Sequence, residues 1–221
     1  IRSDSHIEAT VGESGATAVL RTPTPIHRRR WYFVGISADA PTGQLGVSCA
    51  ERGTSVFSVE RTQAGWNGIP RDSDTLLLGA SLENESVHNS FSGKIGGIRI
   101  FEGLLDDIDL SDLKQGAEPE GGRCEGAWDL ARLTTGTRAV DISGHGRHGQ
   151  IHNGAARAVT GPEWQGTDTT IGSAPRLYDA VHLHDDDLAD AKWLPTFTLS
   201  VPADARSGIY AVRLSTEEEE V

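Results

Sequence analysis

Methionine is absent from this chain of 221 residues, and its first residue is Ile1. Together these read as a piece of a longer protein, cut or truncated. Cysteine is scarce. Cys49 and Cys124 do not make the framework that staples small secreted folds, so a reducing compartment, the cytoplasm, is the simpler expectation, with one bridge left open. No apolar run approaches the ~20 residues of a membrane-spanning helix, and no basic-then-apolar leader opens the chain. Basic residues number 20 against 32 acidic ones, for a net charge of −12. That balance disfavours nucleic acid and anionic membrane as partners. Four of the negative charges stand in a terminal run, Glu217 to Glu220, and the plain reading of the rest is solubility. Hydrophobic residues make up 37% of the chain and include five Trp, which excludes a disordered polymer.

Glycine is plentiful, at 26 residues, and punctuates short apolar or alternating runs. His6–Val11 and Thr17–Arg21 flank Gly12-Glu13-Ser14-Gly15, which is hairpin chemistry because glycine accepts the positive φ of a tight reversal. Trp31–Ile36 is continuously apolar, as in a strand covered on both faces. Gln44–Cys49 alternates, with Leu45, Val47 and Cys49 on one face. Ser55–Val59, Thr75–Ala80 and Ile95–Phe101 follow as expected strands, and a short helix capped by Ser111 is predicted over Ser111–Gln115. The stretch from Gly116 to Gly122 reads as a loop. Beyond it Ala127–Leu130, Arg138–Ile142 and Gly149–His152 read as strands, and Asp141 to Gly146 as a turn. Gly161–Pro175 is predicted irregular, and Ala180–His184, Thr196–Val201 and Ile209–Leu214 are predicted strands. Many strands with almost no helix, no βα alternation and no long repeat argue for an all-β sandwich.

Three segments carry a family resemblance. Arg30-Trp31-Tyr32-Phe33-Val34-Gly35-Ile36, Pro41-Thr42-Gly43-Gln44-Leu45, Leu78-Gly79 and Phe91-Ser92-Gly93-Lys94-Ile95-Gly96-Gly97-Ile98-Arg99-Ile100-Phe101 resemble the later half of a laminin-G-like, concanavalin A-like jelly roll. Trp128-Asp129 with Asp141-Ile142-Ser143-Gly144-His145-Gly146-Arg147-His148-Gly149 resembles the opening strands of that fold, here placed after the closing strand. The third segment joins Arg157–Gly161, Ala180–Leu188, Trp193 and Ser207–Leu214. In this order they resemble the large (beta) subunit family of N,N-dimethylformamidase. The resemblance implies a laminin-G-like sandwich over 1–166, immunoglobulin-like strands over 167–216 and an acidic tail over 217–221. It also implies an amidohydrolase parent that splits dimethylformamide into dimethylamine and formate, using iron held by two Tyr and one Glu in a downstream domain. Partners would be that catalytic domain, a small subunit and further copies of the large one. None of the three tyrosines here, Tyr32, Tyr178 and Tyr210, matches the family's iron ligands. The expectation is therefore a scaffold or accessory region with no catalytic residue of its own.

Four constellations compete with that expectation. His182 and His184 share one strand face, with Asp185, Asp186 and Asp187 at its exit, and imidazole with carboxylate suits a divalent metal. The plainer account is a solvated strand end. Asp141 and Ser143 offer oxygens for calcium, or simply an Asx-type turn. His145, His148 and His152 have helical metal spacing, but three glycines among them forbid the helix. An exposed Trp66 between glycines suits sugar stacking, which keeps a carbohydrate-binding, lectin-like module as the alternative function. Nucleophilic catalysis finds no support: no Gly-x-Ser-x-Gly elbow is present, and Cys49 sits in an apolar strand.

Overall fold

Alternation decides the first half of the structure. The computed structural model describes residues 1, 4–11, 18–39, 41–54, 58–63, 75–83, 86–184, 194 and 198–211. Strands β1 (Glu8–Val11) and β2 (Ala18–Arg21) pair antiparallel. Their connection, with its predicted Gly12–Gly15 turn, lies outside the described residues. Strands β3 (Tyr32–Asp39), β4 (Gln44–Glu51) and β5 (Ser58–Gln63) form an antiparallel sheet with β4 in the middle. As the alternation predicts, Leu45, Val47 and Cys49 all point into a core that they share with Ile7, Ala9 and Ala18 of the hairpin. Leu45 and Val47 are each 1% exposed, and burials of that kind stabilise by about 1.5–3 kcal/mol apiece.

The other face of the sheet is covered by a helix, α1 (Asp107–Lys114). A Cβ on Gly35 would sit 3.5 Å from Leu110 and 2.4 Å from the Ser48 hydroxyl, so glycine admits this close approach. Arg61 of β5 pairs with Asp107, and Lys114 donates to the Thr54 carbonyl, which tie both ends of the helix to the sheet. The helix begins earlier than predicted. Asp106, not Ser111, is the N-cap: its carboxylate accepts from the amides of Ile108 (2.8 Å) and Asp109 (2.9 Å), while Asp109 accepts from the Asp106 amide (3.2 Å). Acids in the first turn also favour the positive end of the helix dipole, and Ser111 falls mid-helix. The expectation that Trp31–Ile36 is covered on both faces fails too. The hairpin lies over β4 and β5, β3 is at the edge, and Val34 and Ile36 are exposed although their cross-strand partners Cys49 and Val47 are buried.

The second half is a two-layer arrangement. One sheet orders β12 (Gly149–Gln150), β11 (Arg138–Asp141), β10 (Arg123–Asp129) and β9 (Arg99–Glu102). The other orders β13 (Ala156–Val159), β14 (Ala180–Leu183) and β8 (Gly93–Gly96). Leu130, Ala139 and Trp128 from the first meet Val181, Leu183 and Ile95 from the second. All strand pairs between described residues are antiparallel, and the architecture is all-β. The predicted single strand Ile95–Phe101 is split: Gly97 adopts φ +63° and sends β8 and β9 to different sheets. Gly96 cannot carry a Cβ, which would stand 2.4 Å from the Asp179 carbonyl. Thr75–Ala80 is not a strand either. Gly79 turns with φ +86° beneath Leu183, and the chain pairs only afterwards, as β6 (Ser81–Glu83) with β7 (Ser86–His88).

Contacts divide the chain into Ile1–Asp185 and Asp186–Val221. In the latter, residues 198–211 contain no strand. The strands predicted over Thr196–Val201 and Ile209–Leu214 are therefore not seen in their described parts, where Leu199, Val201 and Ile209 stand exposed instead of packed. The rest of both predictions lies outside the described residues. Among the described residues no helix is long and apolar enough to cross a membrane. Both cysteines are free thiols, and burial pushes the Cys49 thiol up.

Candidate functional site

His182 in β14 and His184, the residue just past its end, bring their rings together, as their spacing predicts. Their ring centroids are 3.9 Å apart and tilted by 49°. His182 lies opposite Lys94 of β8, whose ammonium donates to the carbonyl and hydroxyl of Thr160 (3.1 and 2.8 Å). A cation at that position is poor company for a metal ion. Asp185, Asp186 and Asp187 lie outside the described residues, and among those described no three His, Cys, Asp or Glu side chains gather as a metal set.

Asp141, at the end of β11, organises the turn that follows it. Its carboxylate accepts from the amides of Ser143 (2.9 Å), Arg147 (2.8 Å) and Ala127 (3.3 Å). Burial works against its charge, but the bonds from Ser143, Arg147 and Ala127 outweigh that and hold the carboxyl well below the usual range. Amide donors thus engage the oxygens that calcium would need. Two of the three nearby histidines turn to separate partners. His148 Nδ1 accepts from the Asp141 amide (3.1 Å), and His145 Nε2 lies 3.2 Å from the Cys124 carbonyl. Trp128 is a core anchor, its indole packed over Gly126 and donating to the Arg147 carbonyl at 2.8 Å.

Two charged groups with no chemical role expected of them hold backbone in place here. Arg157, in β13, donates to five backbone carbonyls, those of Leu130, Arg132, Leu133, Gly136 and Arg138, at 2.8–3.0 Å. It gathers the whole connection between β10 and β11. The available signal was a lone cation in the apolar run Ala155-Ala156-Arg157-Ala158-Val159. Asp179 accepts from the Leu130 amide at 2.5 Å. Its burial, with Asp129 close by, pushes its carboxyl up.

Each of the three tyrosines is engaged by local groups. The Tyr32 hydroxyl accepts from the His27 amide (3.0 Å) and donates to Glu51 (3.3 Å), itself paired with Arg30. Tyr178 is buried and donates to the Asp168 carbonyl (3.1 Å), and Tyr210 donates to the Arg206 carbonyl. Trp66 and Trp193 lie outside the described residues. Trp31 instead lines a groove of about 830 Å³ between the start of β3, the turn after β4, the last turn of α1 and the loop around Glu163.

Residues 155–221 match the family model described as N,N-dimethylformamidase beta subunit-like, C-terminal. Over 98% of its length, the chain is 27% identical to part of the N,N-dimethylformamidase beta subunit of Alcaligenes sp. It resembles a region of that subunit. The counterpart from Paracoccus aminophilus is likewise 27% identical, over 96% of this chain. The chain spans about a third of the length of these curated relatives, 32% and 31%. The beta-subunit-like match begins one residue before β13 and takes in Arg157, Asp179 and the histidine pair.

Proposed function

We propose that this chain is a non-catalytic β-sandwich region of an N,N-dimethylformamidase-like large subunit, a scaffold for a catalytic domain carried elsewhere in the parent chain. In this reading the layered part is laminin-G-like, of jelly-roll lineage, and takes in β14 as well as the strands before residue 167; the immunoglobulin-like strands expected over 167–216 find no strand of their own in 198–211. The parent is a cytoplasmic iron amidohydrolase that also contacts a small subunit and further large subunits. The observation that carries it is the similarity itself: nearly the whole chain aligns, yet with only about a third of the relatives' length. Three features support it. Asp141, Arg157 and Asp179 are all spent on holding backbone in place. Each tyrosine hydroxyl is engaged by local groups. Leu194, Leu199, Val201 and Ile209 are exposed, as apolar side chains would be when their packing partner is another part of the parent. The lectin-like alternative names Trp66, which lies outside the described residues.

The test has two arms. The isolated chain, supplied with iron and dimethylformamide, is expected to release no dimethylamine, and turnover would overturn the scaffold reading. In the intact parent, deleting this region is expected to break subunit assembly in size-exclusion chromatography. A deletion variant that assembles and turns over normally would do the same damage to the reading.

A further inference from the structure

The groove beside Trp31 has no part in the scaffold reading. Its volume, about 830 Å³, falls in the range of sites for small organic ligands. Three cations reach it, and each is already answered. Arg30 pairs with Glu51. Arg52 faces Glu163 at 3.6 Å and donates to the Trp164 carbonyl at 3.3 Å. Lys114 donates to the Thr54 carbonyl. The Arg30 contact holds the Glu51 carboxyl below its usual range, so that pair is a standing salt bridge and not a site waiting for a counter-ion. An ionic ligand would have to displace these partners and would gain little net attraction for it.

What the walls still offer is hydrogen bonding beside an aromatic surface. The exposed Gln165 amide presents donor and acceptor together, while the Gln115 amide nitrogen donates to both the carbonyl and the hydroxyl of Ser111, each at 3.1 Å, which fixes the side chain and leaves its oxygen as an acceptor. Partly exposed carboxylate and guanidinium edges from Glu163 and Arg52 flank them. Planar groups of this kind, with two polar atoms set side by side, match pairs of neighbouring hydroxyls. An indole offers a weakly polar face to ring C–H groups. We propose that this groove binds a neutral polyhydroxylated ligand, a sugar ring, with Trp31 as its apolar platform and Gln115, Gln165 and Glu163 reading its hydroxyls. The site is independent of Trp66 and of the scaffold role.

Titration of the purified chain with glucose, galactose, mannose and maltose, followed by calorimetry and by tryptophan fluorescence at low and high NaCl, tests this. At least one sugar is expected to bind saturably, with a Kd on the order of 1 mM. Trp31→Ala should weaken it about tenfold or more, and Trp31→Phe should retain much of it. Gln165→Ala, at an exposed loop position that leaves folding intact by circular dichroism, should weaken it several-fold. A neutral ligand's affinity should stay within about twofold as salt rises. Absence of saturable binding to all four sugars overturns the proposal. So does binding indifferent to both Trp31→Ala and Gln165→Ala, or a site that inorganic phosphate occupies in competition. Each of these outcomes is read without any amidase assay, so the scaffold reading can fail or stand separately.

Discussion

Arg157 shows what a single side chain does in this protein. Its guanidinium satisfies five carbonyls of a connection that has no regular structure, and those carbonyls would otherwise need water. Arg157→Ala is expected to cost about 3 kcal/mol of stability in urea unfolding, because several acceptors lose a charged donor at once. Arg157→Lys should recover only a minor part, since an ammonium cannot span the same set. Asp141 and Asp179 make a contrasting pair. Asp141 titrates lower in the folded chain than in the unfolded one, so its contribution is complete above the unfolded carboxylate range and is lost as pH falls below about 4. Asp179 titrates higher, so its ionisation opposes folding as pH rises from about 4. Thermal melts from pH 3 to 7 check both signs. Asp141→Asn should lose stability most at neutral pH, whereas Asp179→Asn, which keeps an acceptor for the Leu130 amide, should gain relative to the wild type as pH rises.

At the scale of elements, α1 is set by its cap and not by its length or apolar stripe. Eight residues make a marginal helix, and its stability comes from Asp106, Asp109 and its docking on β3 and β4. Asp106→Ala should cost about 1 kcal/mol, since two first-turn amides lose their acceptor. Ser111→Ala, the residue a reading of the sequence favours as cap, should cost less in the same denaturant titration. Three acids near the start, Asp106, Asp107 and Asp109, all fit a cap or first turn, and composition alone does not rank them against a serine further on. The strand break at Gly97 has a similar origin: the pattern of Ile95, Ile98 and Ile100 is compatible with one strand or with two, and the backbone angle decides.

For the molecule as a whole, the described residues up to His184 hold two separate apolar clusters, one around Leu45 and Val47 and one around Leu130 and Val181. They share no residue. Leu45→Ala and Leu130→Ala should each destabilise by about 2–5 kcal/mol. In the double variant their costs should add within about 0.5 kcal/mol, because distant sites without shared partners do not couple. A larger deviation in calorimetric or urea unfolding would mean that the two clusters communicate.

Much of this fold follows from short-range pattern. The alternation of Gln44–Cys49 and of Ala180–His184 assigns each side chain to a face, because a strand's period of two is a local property. The pairing of His182 with His184 is legible for the same reason. Local pattern says nothing about which strand lies over which. So Val34 and Ile36 read as buried and are exposed, and Trp31 reads as core and lines a groove. The acceptors of Arg157 lie 19–27 residues away in the chain, and no local rule connects them. By itself, then, the amino-acid order determined the all-β character, the inward faces of its best strands and the absence of a nucleophile elbow, since these depend on neighbours in sequence. Only the tertiary structure decided which edge is left bare, which charges are answered and where a ligand-sized space opens, since these depend on segments that meet after the chain has folded.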